Sequence, residues 1–407
     1  MLSRIMSRNF KHIVLGLAAG IVLVVFLGGF GPAGVSGAPT ANAYKQMGVY
    51  EEVLHKIQAD YVTVPNLHEV TTGALHGLLD SLDSDSAYLT PTEYKEYLAH
   101  ENDGKAQVGL IVSERGGYST VVSVVPGSPA AKDDIRDGDV ILSINGQSTY
   151  EMSVAMLRLL LRGQPGSEVH FQLIRPQRVA PYKITLTRVM ETPPPMKVET
   201  YSGGKILYIK PFALTASRVA QIIARLKTMK QNGNSKVLLD LRDVAQGPED
   251  EGVRLANAFI SSGTLASLHG QTIPTKVFTA KSSDFVTSAP LVVLVNHGTA
   301  GAAEIVAGAV LNRKRGDVVG DVTFGEGALV KTFQLPDGAA MILTVGKYET
   351  PSGTKIEDSS VTPNYLVNES INHYLAEEGE LPSNEQKGAQ IDDQLNKALS
   401  LLKAQSA

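Results

Sequence analysis

The fold is decided by the stretch Leu291-Val292-Val293-Leu294-Val295-Asn296-His297-Gly298-Thr299-Ala300-Gly301-Ala302-Ala303-Glu304. Its first five residues are apolar and predict a buried strand, and the glycine turn that follows leads into a predicted helix from Thr299 to about Leu311. Strands and helices alternate around this stretch, with strands predicted at 206–209, 236–241, 318–320, 329–335 and 341–348 and helices at 215–229 and 251–260. The alternation predicts an α/β core of mixed α+β class, in which helices cover a mixed sheet.

A second informative stretch is Thr323-Phe324-Gly325-Glu326-Gly327. Together the two stretches resemble the C-terminal processing (tail-specific) peptidases, whose motifs usually read Asn-x-Gly-Ser/Thr-Ala-Ser-Ala-x-Glu and Phe/Tyr-Gly-Lys-Gly. The resemblance covers roughly residues 44–370 and includes Val237-Leu238-Leu239-Asp240-Leu241-Arg242. It implies a helical N-terminal segment, a PDZ domain and an α/β peptidase-like core, in that order. Members of that family cut peptides with a Ser/Lys dyad.

The flanks of the two motifs match that family, but the catalytic positions do not. The resemblance places the serine nucleophile at Gly301, the lysine base at Glu326 and a supporting glutamine of some members at Val330. A Ser/Lys enzyme needs an oxygen nucleophile and a neutral lysine that takes its proton. Because loss of one triad member in a related serine mechanism lowers the rate by about 10⁴–10⁶, we expect no catalytic residue and negligible proteolysis.

The turn after strand 236–241 differs from the family in part. The family's Asn-Pro-Gly-Gly turn, which helps to form the oxyanion site, is replaced by Ala245-Gln246-Gly247. Gly247 survives there, and the resemblance makes Gly247 and Ala302 an oxyanion-like pair with no nucleophile to serve. Glu326 alone is a candidate general base that activates water. A lone carboxylate without an acid partner or a metal gives only weak hydrolysis. Three other nearby polar residues are expected to have no catalytic role: Thr299, His297 and Lys331.

Residues 105–188 form a second unit of short β-type runs separated by turn signals. Gly127-Ser128-Pro129-Ala130-Ala131 and Gly138-Asp139-Val140-Ile141 are followed by a tight Asn145-Gly146 turn and a helix from about Ser153 to Leu161. This order resembles a PDZ domain, which implies capture of a peptide as an added strand with its carboxylate on backbone N–H groups. The candidate peptide-binding loop is Val108, Gly109, Leu110 and Ile111.

The amino terminus predicts export. Three basic residues precede an uncharged apolar run from Ile13 to about Pro32, which favours a membrane anchor. Ala41-Asn42-Ala43 leaves a cleaved signal peptide as the alternative. Positive charge before the run keeps the amino end in the cytoplasm, so the bulk of the chain is predicted to lie outside the inner membrane, in the cell envelope.

Five segments follow from these patterns. They are 1–43, the signal or anchor with a linker; 44–104, the helical segment; 105–188, the PDZ domain; 189–370, the peptidase-like core; and 371–407, a tail with a short helix from Ile391 to Leu402. Pro193-Pro194-Pro195 predicts that residues 189–200 are a stiff connector. Thr90 and Glu93, with Pro91 at the first helical position, predict a capping box.

Composition excludes several classes of function. The net charge of −4 and the pI near 6.2 argue against a nucleic-acid partner, and the chain has no cysteine. Asp80, Asp83 and Asp85 lack the glycine and closing glutamate of a calcium loop. The sequence also carries no metal-binding or phosphate-binding motif that we recognise, so we expect no metal and no cofactor.

Three functions remain after these exclusions. The first is an envelope pseudopeptidase that binds protein C-terminal tails or unfolded peptides, with an active peptidase relative as a further conceivable partner. The second is an active serine-type endopeptidase that cleaves protein C-terminal tails with residues not recognised in the motifs. The third is a structural envelope component whose groove is closed.

Overall fold

The computed structural model describes residues 41–100, 106–115, 117–133, 135–150, 152–175, 180–190, 194–368 and 392–405. The apolar run from Ile13 to Pro32 and residues 369–391 lie outside these ranges, so the anchor, the signal peptide and the first part of the tail stay predictions. Within the described ranges, no helix is long and apolar enough to cross a membrane.

Two helices begin the described chain, α1 (Ala41–Asp60) and α2 (Leu67–Asp80). The described residues up to Thr71, 41–71, belong to a separate compact unit. Strand β1 (Ala87–Leu89) and helix α3 (Pro91–His100) follow α2. The predicted capping box of α3 is confirmed, because the Glu93 carboxylate accepts both the Thr90 N–H and the Thr90 hydroxyl at 2.8 Å, and the Glu93 N–H donates back to Thr90 Oγ1.

Six strands and two helices make up the next unit: β2 (Leu110–Arg115), β3 (Tyr118–Val124), α4 (Pro129–Lys132), β4 (Val140–Ile144), β5 (Gln147–Ser148), α5 (Val154–Leu161), β6 (Glu168–Ile174) and β7 (Tyr182–Thr187). The sheet has the order β2-β3-β4-β6-β7, with β5 on β4, so β2 is an edge strand. Asn145 and Gly146 have φ values of 52° and 82°. Positive φ at both residues is what the predicted Asn-Gly turn requires.

The core contains a six-stranded sheet in the order β17-β14-β13-β10-β9-β8. Its elements are β8 (Lys197–Tyr201), β9 (Ile206–Lys210), α6 (Ala216–Thr228), β10 (Lys236–Asp240), α7 (Glu249–Phe259), β13 (Leu291–Val295), α8 (Ala302–Asn312), β14 (Asp317–Gly320), β17 (Tyr365–Leu366) and α10 (Asp393–Ala404). All its strands are parallel to their neighbours except β8. This confirms the predicted alternation of strands and helices.

Side chains alternate between the two faces of this sheet, as the strand period of two requires. Leu207 and Leu239 pack against α6, α7 and α8 on one face, whereas Leu238 packs against α10 on the other. The helix predicted near the carboxyl terminus is therefore part of the core. Lys236 of β10 also connects this helix to the sheet, because the Lys236 Nζ atom donates to the carbonyls of Leu402 and Gln405.

A second, antiparallel sheet was not predicted. It has the order β1-β16-β11-β12, with β15 on β16, and its further elements are β11 (Thr264–His269), β12 (Lys276–Thr279), β15 (Ala328–Gln334), β16 (Ala340–Glu349) and the short helix α9 (Ile356–Ser359). The sequence places β15 and β16 in one mixed sheet with the parallel strands, which is wrong. These pairings join segments far apart in the chain, such as β1 with β16, and short-range patterns do not carry such information.

The prediction that residues 189–200 form a stiff connector is also wrong for their last part. Lys197–Tyr201 is strand β8, which pairs antiparallel with β9. Hydrogen bonding to the otherwise unpaired edge of β9 makes these residues a strand. The conformation of this segment depends on its place at the edge of the sheet, which the sequence does not reveal.

Candidate active site and peptide groove

The first motif forms a sharp turn at the carboxyl end of the parallel strand β13, where open α/β sheets place their ligands. Gly301 is the residue before α8, with φ 58° and ψ −118°. A Cβ atom placed on Gly301 would lie 3.7 Å from Glu326 Oε2. The structure therefore brings positions 301 and 326 into contact range, although they are 25 positions apart in the chain. The roles assigned to both positions stay predictions.

Side chains within the motif hold this turn. Asn296 Oδ1 accepts the N–H groups of Asp243 and Gly298 at 3.0 and 3.1 Å. The fully buried Thr299 donates from Oγ1 to the Leu241 carbonyl at 2.9 Å and accepts the Asn296 N–H. Thr299 thus has the structural role that the sequence indicates.

Glu304 joins the two motifs from inside the core. Its side chain is fully buried, and its carboxylate accepts four hydrogen bonds, from the N–H groups of Gly301, Gly325 and Glu326 and from the Thr323 hydroxyl. Burial raises the pKa of Glu304 to about 8, against the opposing effect of these four donors. One carboxylate thus fixes the turn at position 301 and the loop at position 326 together.

The second motif is a loop between β14 and β15. The Gly327 N–H donates to Glu357 Oε2 at 2.8 Å, and burial raises the pKa of Glu357 to about 7. Burial also raises the pKa of Glu326, whereas the nearby Arg158 lowers it. Arg158 Nη2 lies 2.8 Å from Glu326 Oε1. Position 326, where the motif resemblance predicts the base, thus carries a carboxylate paired with an arginine of α5.

The two residues predicted to be oxyanion-like, Gly247 and Ala302, lie in closely packed backbone. Gly247 has φ 139°, and a Cβ atom there would lie 2.5 Å from the Leu214 carbonyl oxygen. Gln246 occupies the replaced glycine position without strain of this kind, and its own carbonyl accepts the Leu214 N–H at 2.7 Å. Ala302 is the buried first residue of α8. Gly247 and Glu326 line one groove.

The remaining candidates are Val330, Lys331 and His297. Val330 is on β15, and 45% of its surface is exposed. Its side chain is therefore not part of the hydrophobic core. Lys331 is exposed, with its ammonium 5.1 Å from the centre of the Phe333 ring. His297 is 65% exposed and lies 3.4 Å from Asp321 Oδ2. Among the described residues, no group of three or more His, Cys, Asp or Glu side chains could hold a metal ion.

A groove of about 600 Å³ runs between the PDZ unit and the core. The edge strand β2 provides Ile111 and Val112, helix α5 and the residue after it provide Arg158, Leu161 and Arg162, and the core provides residues 245–247. Strand addition to a sheet edge needs an uncovered edge strand beside a groove, and β2 meets this need. Sequence reasoning missed the helix side of the groove, although Arg158 lies within the predicted helix and Arg162 directly follows it.

The predicted peptide-binding loop lies at the start of β2. Of its four residues, Val108 and Leu110 are buried in the PDZ core, and Gly109 has φ 86°. The Val108 carbonyl accepts the Ala130 N–H and the Gly109 carbonyl accepts the Val125 N–H. Only Ile111 presents a side chain to the groove, so any contribution of the other three to binding has to come from their backbone.

Comparisons with known proteins agree with this architecture. Peptidase family S41 matches residues 205–367, and a PDZ domain matches residues 120–175. A carboxyl-terminal-processing protease of Picosynechococcus sp. is 31% identical over 299 residues, with 72% of each chain covered. The chain belongs to the family of the carboxyl-terminal-processing proteases.

Two further relatives extend this result. A carboxy-terminal-processing protease of Bartonella bacilliformis is 28% identical over 335 residues, which are 81% of this chain and 77% of the relative. The solved structure of a photosystem II D1 C-terminal processing protease superposes with a TM-score of 0.64 at 26% identity, over 78% of this chain and 86% of that one. The resemblance drawn from the motifs and the predicted fold class are both confirmed.

Proposed function

We propose that this protein is a non-hydrolytic member of the carboxyl-terminal-processing protease family, which binds protein C-terminal tails or unfolded peptides in its groove. The observation that carries the proposal is the pair of positions 301 and 326. They lie within contact range of each other, yet one has no side chain and the other has a carboxylate paired with Arg158. Neither supplies the oxygen nucleophile or the neutral amine that acyl transfer requires.

The groove supports the binding half of the proposal. It is open, it has an uncovered edge strand on one side, and two arginines face it from the other. An open groove of this size argues against the purely structural alternative, which requires the groove to be closed. The apolar amino-terminal run supports a place in the cell envelope, where such a protein would meet exported chains.

Peptide binding tests this proposal. Fluorescent peptides with free C-terminal carboxylates are titrated against the purified chain, beside the same peptides with C-terminal amides. We expect saturable binding of the free acids and at least tenfold weaker binding of the amides, because the amide removes the charge that backbone N–H groups hold. The Ile111→Asp variant, which puts a charge on the groove side of β2, should bind neither. Failure of every tail to bind would overturn the proposal.

The alternative of an active serine-type endopeptidase rests on the relatives, whose names describe proteases. It requires a serine or threonine hydroxyl with a base beside it. A fluorophosphonate probe that labels the folded chain at one hydroxyl, and not the unfolded chain, would favour it over the binding function. We expect no such labelling.

A further inference from the structure

Arg158 connects the PDZ unit to the degenerate site. It lies in the middle of α5, the helix that forms one wall of the peptide groove, and its Nη2 atom donates to Glu326 Oε1 at 2.8 Å. Its Nη1 atom lies 4.0 Å from Asp85 Oδ1. The Arg158 side chain is 42% exposed and that of Glu326 is 27% exposed, so the ion pair is partly removed from water.

The core half of this ion pair is fixed. Glu304 accepts the N–H groups of Gly325 and Glu326, and Glu357 accepts that of Gly327, so three successive amides of the loop are held. Because the loop cannot follow a movement of α5, the ion pair forms only when α5 lies close to the core. The distance between α5 and the core therefore decides whether the pair exists.

The ion pair also stands at the peptide groove. Arg158 and Glu326 line the groove of about 600 Å³. They also line a cavity of about 10 Å³, which has room for about one water molecule. Ile111 and Val112 of β2 line both spaces. A peptide strand added along β2 would thus pass beside the pair.

The charges at the two positions are complementary only because position 326 is degenerate. With the family's lysine at this position, two cations would face each other at a distance of a few ångströms, which is repulsive. With glutamate, the same geometry is an attraction. Replacement of the base therefore removes a catalytic group and creates a contact between the domains at the same place.

We propose that Glu326 and Arg158 form an ion-pair latch that holds α5 against the core and narrows the peptide groove, so that peptide binding and opening of the latch are coupled. The coupling to peptide binding rests on the proposed function, whereas the ion-pair latch itself does not. Coupling is reciprocal: if the closed latch weakens peptide binding, a bound peptide weakens the latch by the same factor.

Hydrogen exchange of the full chain tests the latch without any peptide. The natural protein is compared with Arg158→Met, Glu326→Gln and the charge-exchanged variant Arg158→Glu/Glu326→Arg. We expect amide exchange in α5 and β2 to be about tenfold faster in both single variants. The exchanged variant should recover part of the protection, and only part, because Asp85 would then face a second carboxylate on α5 instead of a guanidinium.

The matched control is Arg254→Met. Arg254 pairs with Glu251 at 2.9 Å within α7, and their exposures of 43% and 15% are similar to those of the latch residues. This variant should leave α5 and β2 unchanged. If the two latch variants exchange no faster than this control, the latch is overturned.

Tail-peptide affinity measured on the same proteins tests the coupling. We expect Arg158→Met and Glu326→Gln to bind the free-acid peptide about tenfold more tightly than the natural chain. Unchanged affinity with faster exchange would overturn the coupling. Faster exchange with no binding to any variant, including the natural chain, would instead overturn the proposed function and leave the latch standing.

Discussion

The peptide groove and the turn at Gly301 both lie beside Glu326, but they are built differently. The groove has chemistry suited to binding, with an open edge strand and arginines on the opposite wall. The turn has Gly301 in a left-handed conformation and is joined to the second motif by the buried Glu304, and Gly301 itself has no side chain. The comparison teaches that buried hydrogen bonds can fix the main chain of a turn without help from a side chain at its tip.

The largest effect is expected from Glu304→Ala, which would break the scaffold of the turn. Four buried donors would lose their acceptor at once. We expect the free energy of unfolding to fall by on the order of 4 kcal/mol, measured by urea titration. The exposed Glu168→Ala should change it by less than about 0.5 kcal/mol. Similar small losses for both variants would show that the turn is not held by Glu304.

A second test compares Gly247 with an ordinary helical glycine. A Cβ atom at Gly247 would approach the Leu214 carbonyl oxygen to 2.5 Å, and its φ of 139° disfavours other residues. Gly247→Ala should therefore cost about 3 kcal/mol of unfolding free energy. Gly73 in α2 has nothing within 4 Å, and Gly73→Ala should stabilise the chain by up to about 1 kcal/mol. Equal effects at the two positions would contradict the preserved packing of this loop.

Gly301→Ser separates backbone strain from steric clash. The nearest atom to the new Cβ, Glu326 Oε2, lies at an ordinary contact distance of 3.7 Å, so only the positive φ penalises the serine. We expect a loss of about 2 kcal/mol in unfolding free energy. Gly301→Asn should cost less than Gly301→Val, because asparagine tolerates positive φ better than β-branched residues. The reverse order, read from thermal melts of the three variants, would mean that space and not strain is limiting.

The smallest effect concerns pH. Glu304 and Glu357 have pKa values of about 8 and about 7 in the folded chain, above the 4.5 of an unperturbed glutamate. The folded state therefore binds more protons than the unfolded state between pH 4.5 and 8, and the stability that these groups contribute is complete below pH 4.5 and is lost as the pH rises through 7 and 8.

Glu357→Gln removes one of these two groups and keeps an acceptor for the Gly327 N–H. The melting temperature of the variant should fall less between about pH 5 and pH 8 than that of the natural chain, by an amount equivalent to about 2 kcal/mol at most. Parallel curves for the two proteins would show that Glu357 has the same pKa in the folded and unfolded states.

Local patterns predicted most of the fold. The apolar runs gave the parallel strands, and the cap at Thr90 gave the start of α3. The antiparallel sheet was missed because its pairings, such as Ala87 with Ile342, span long sequence separations. Strand β8 was missed because its partner is the edge of another strand.

The motifs indicated that residues 301 and 326 lie close together, but not which partners they have, and the catalytic roles of both positions stay predictions. The motifs place residues 301 and 326 independently, and the structure brings them together. Nothing in the motifs relates either position to Arg158, which lies 168 residues before Glu326 in the chain. Such a contact depends on how the PDZ unit lies against the core, and local sequence does not encode that arrangement.

The most direct test of the central claim is cleavage of tail peptides and casein by the purified chain, beside the Gly301→Ser/Glu326→Lys/Val330→Gln variant. The account predicts no turnover by the natural chain above the background without protein, whether or not the triple variant regains activity. Turnover by the natural chain that Glu326→Gln abolishes would contradict it, because Glu326 would then be a working catalytic base.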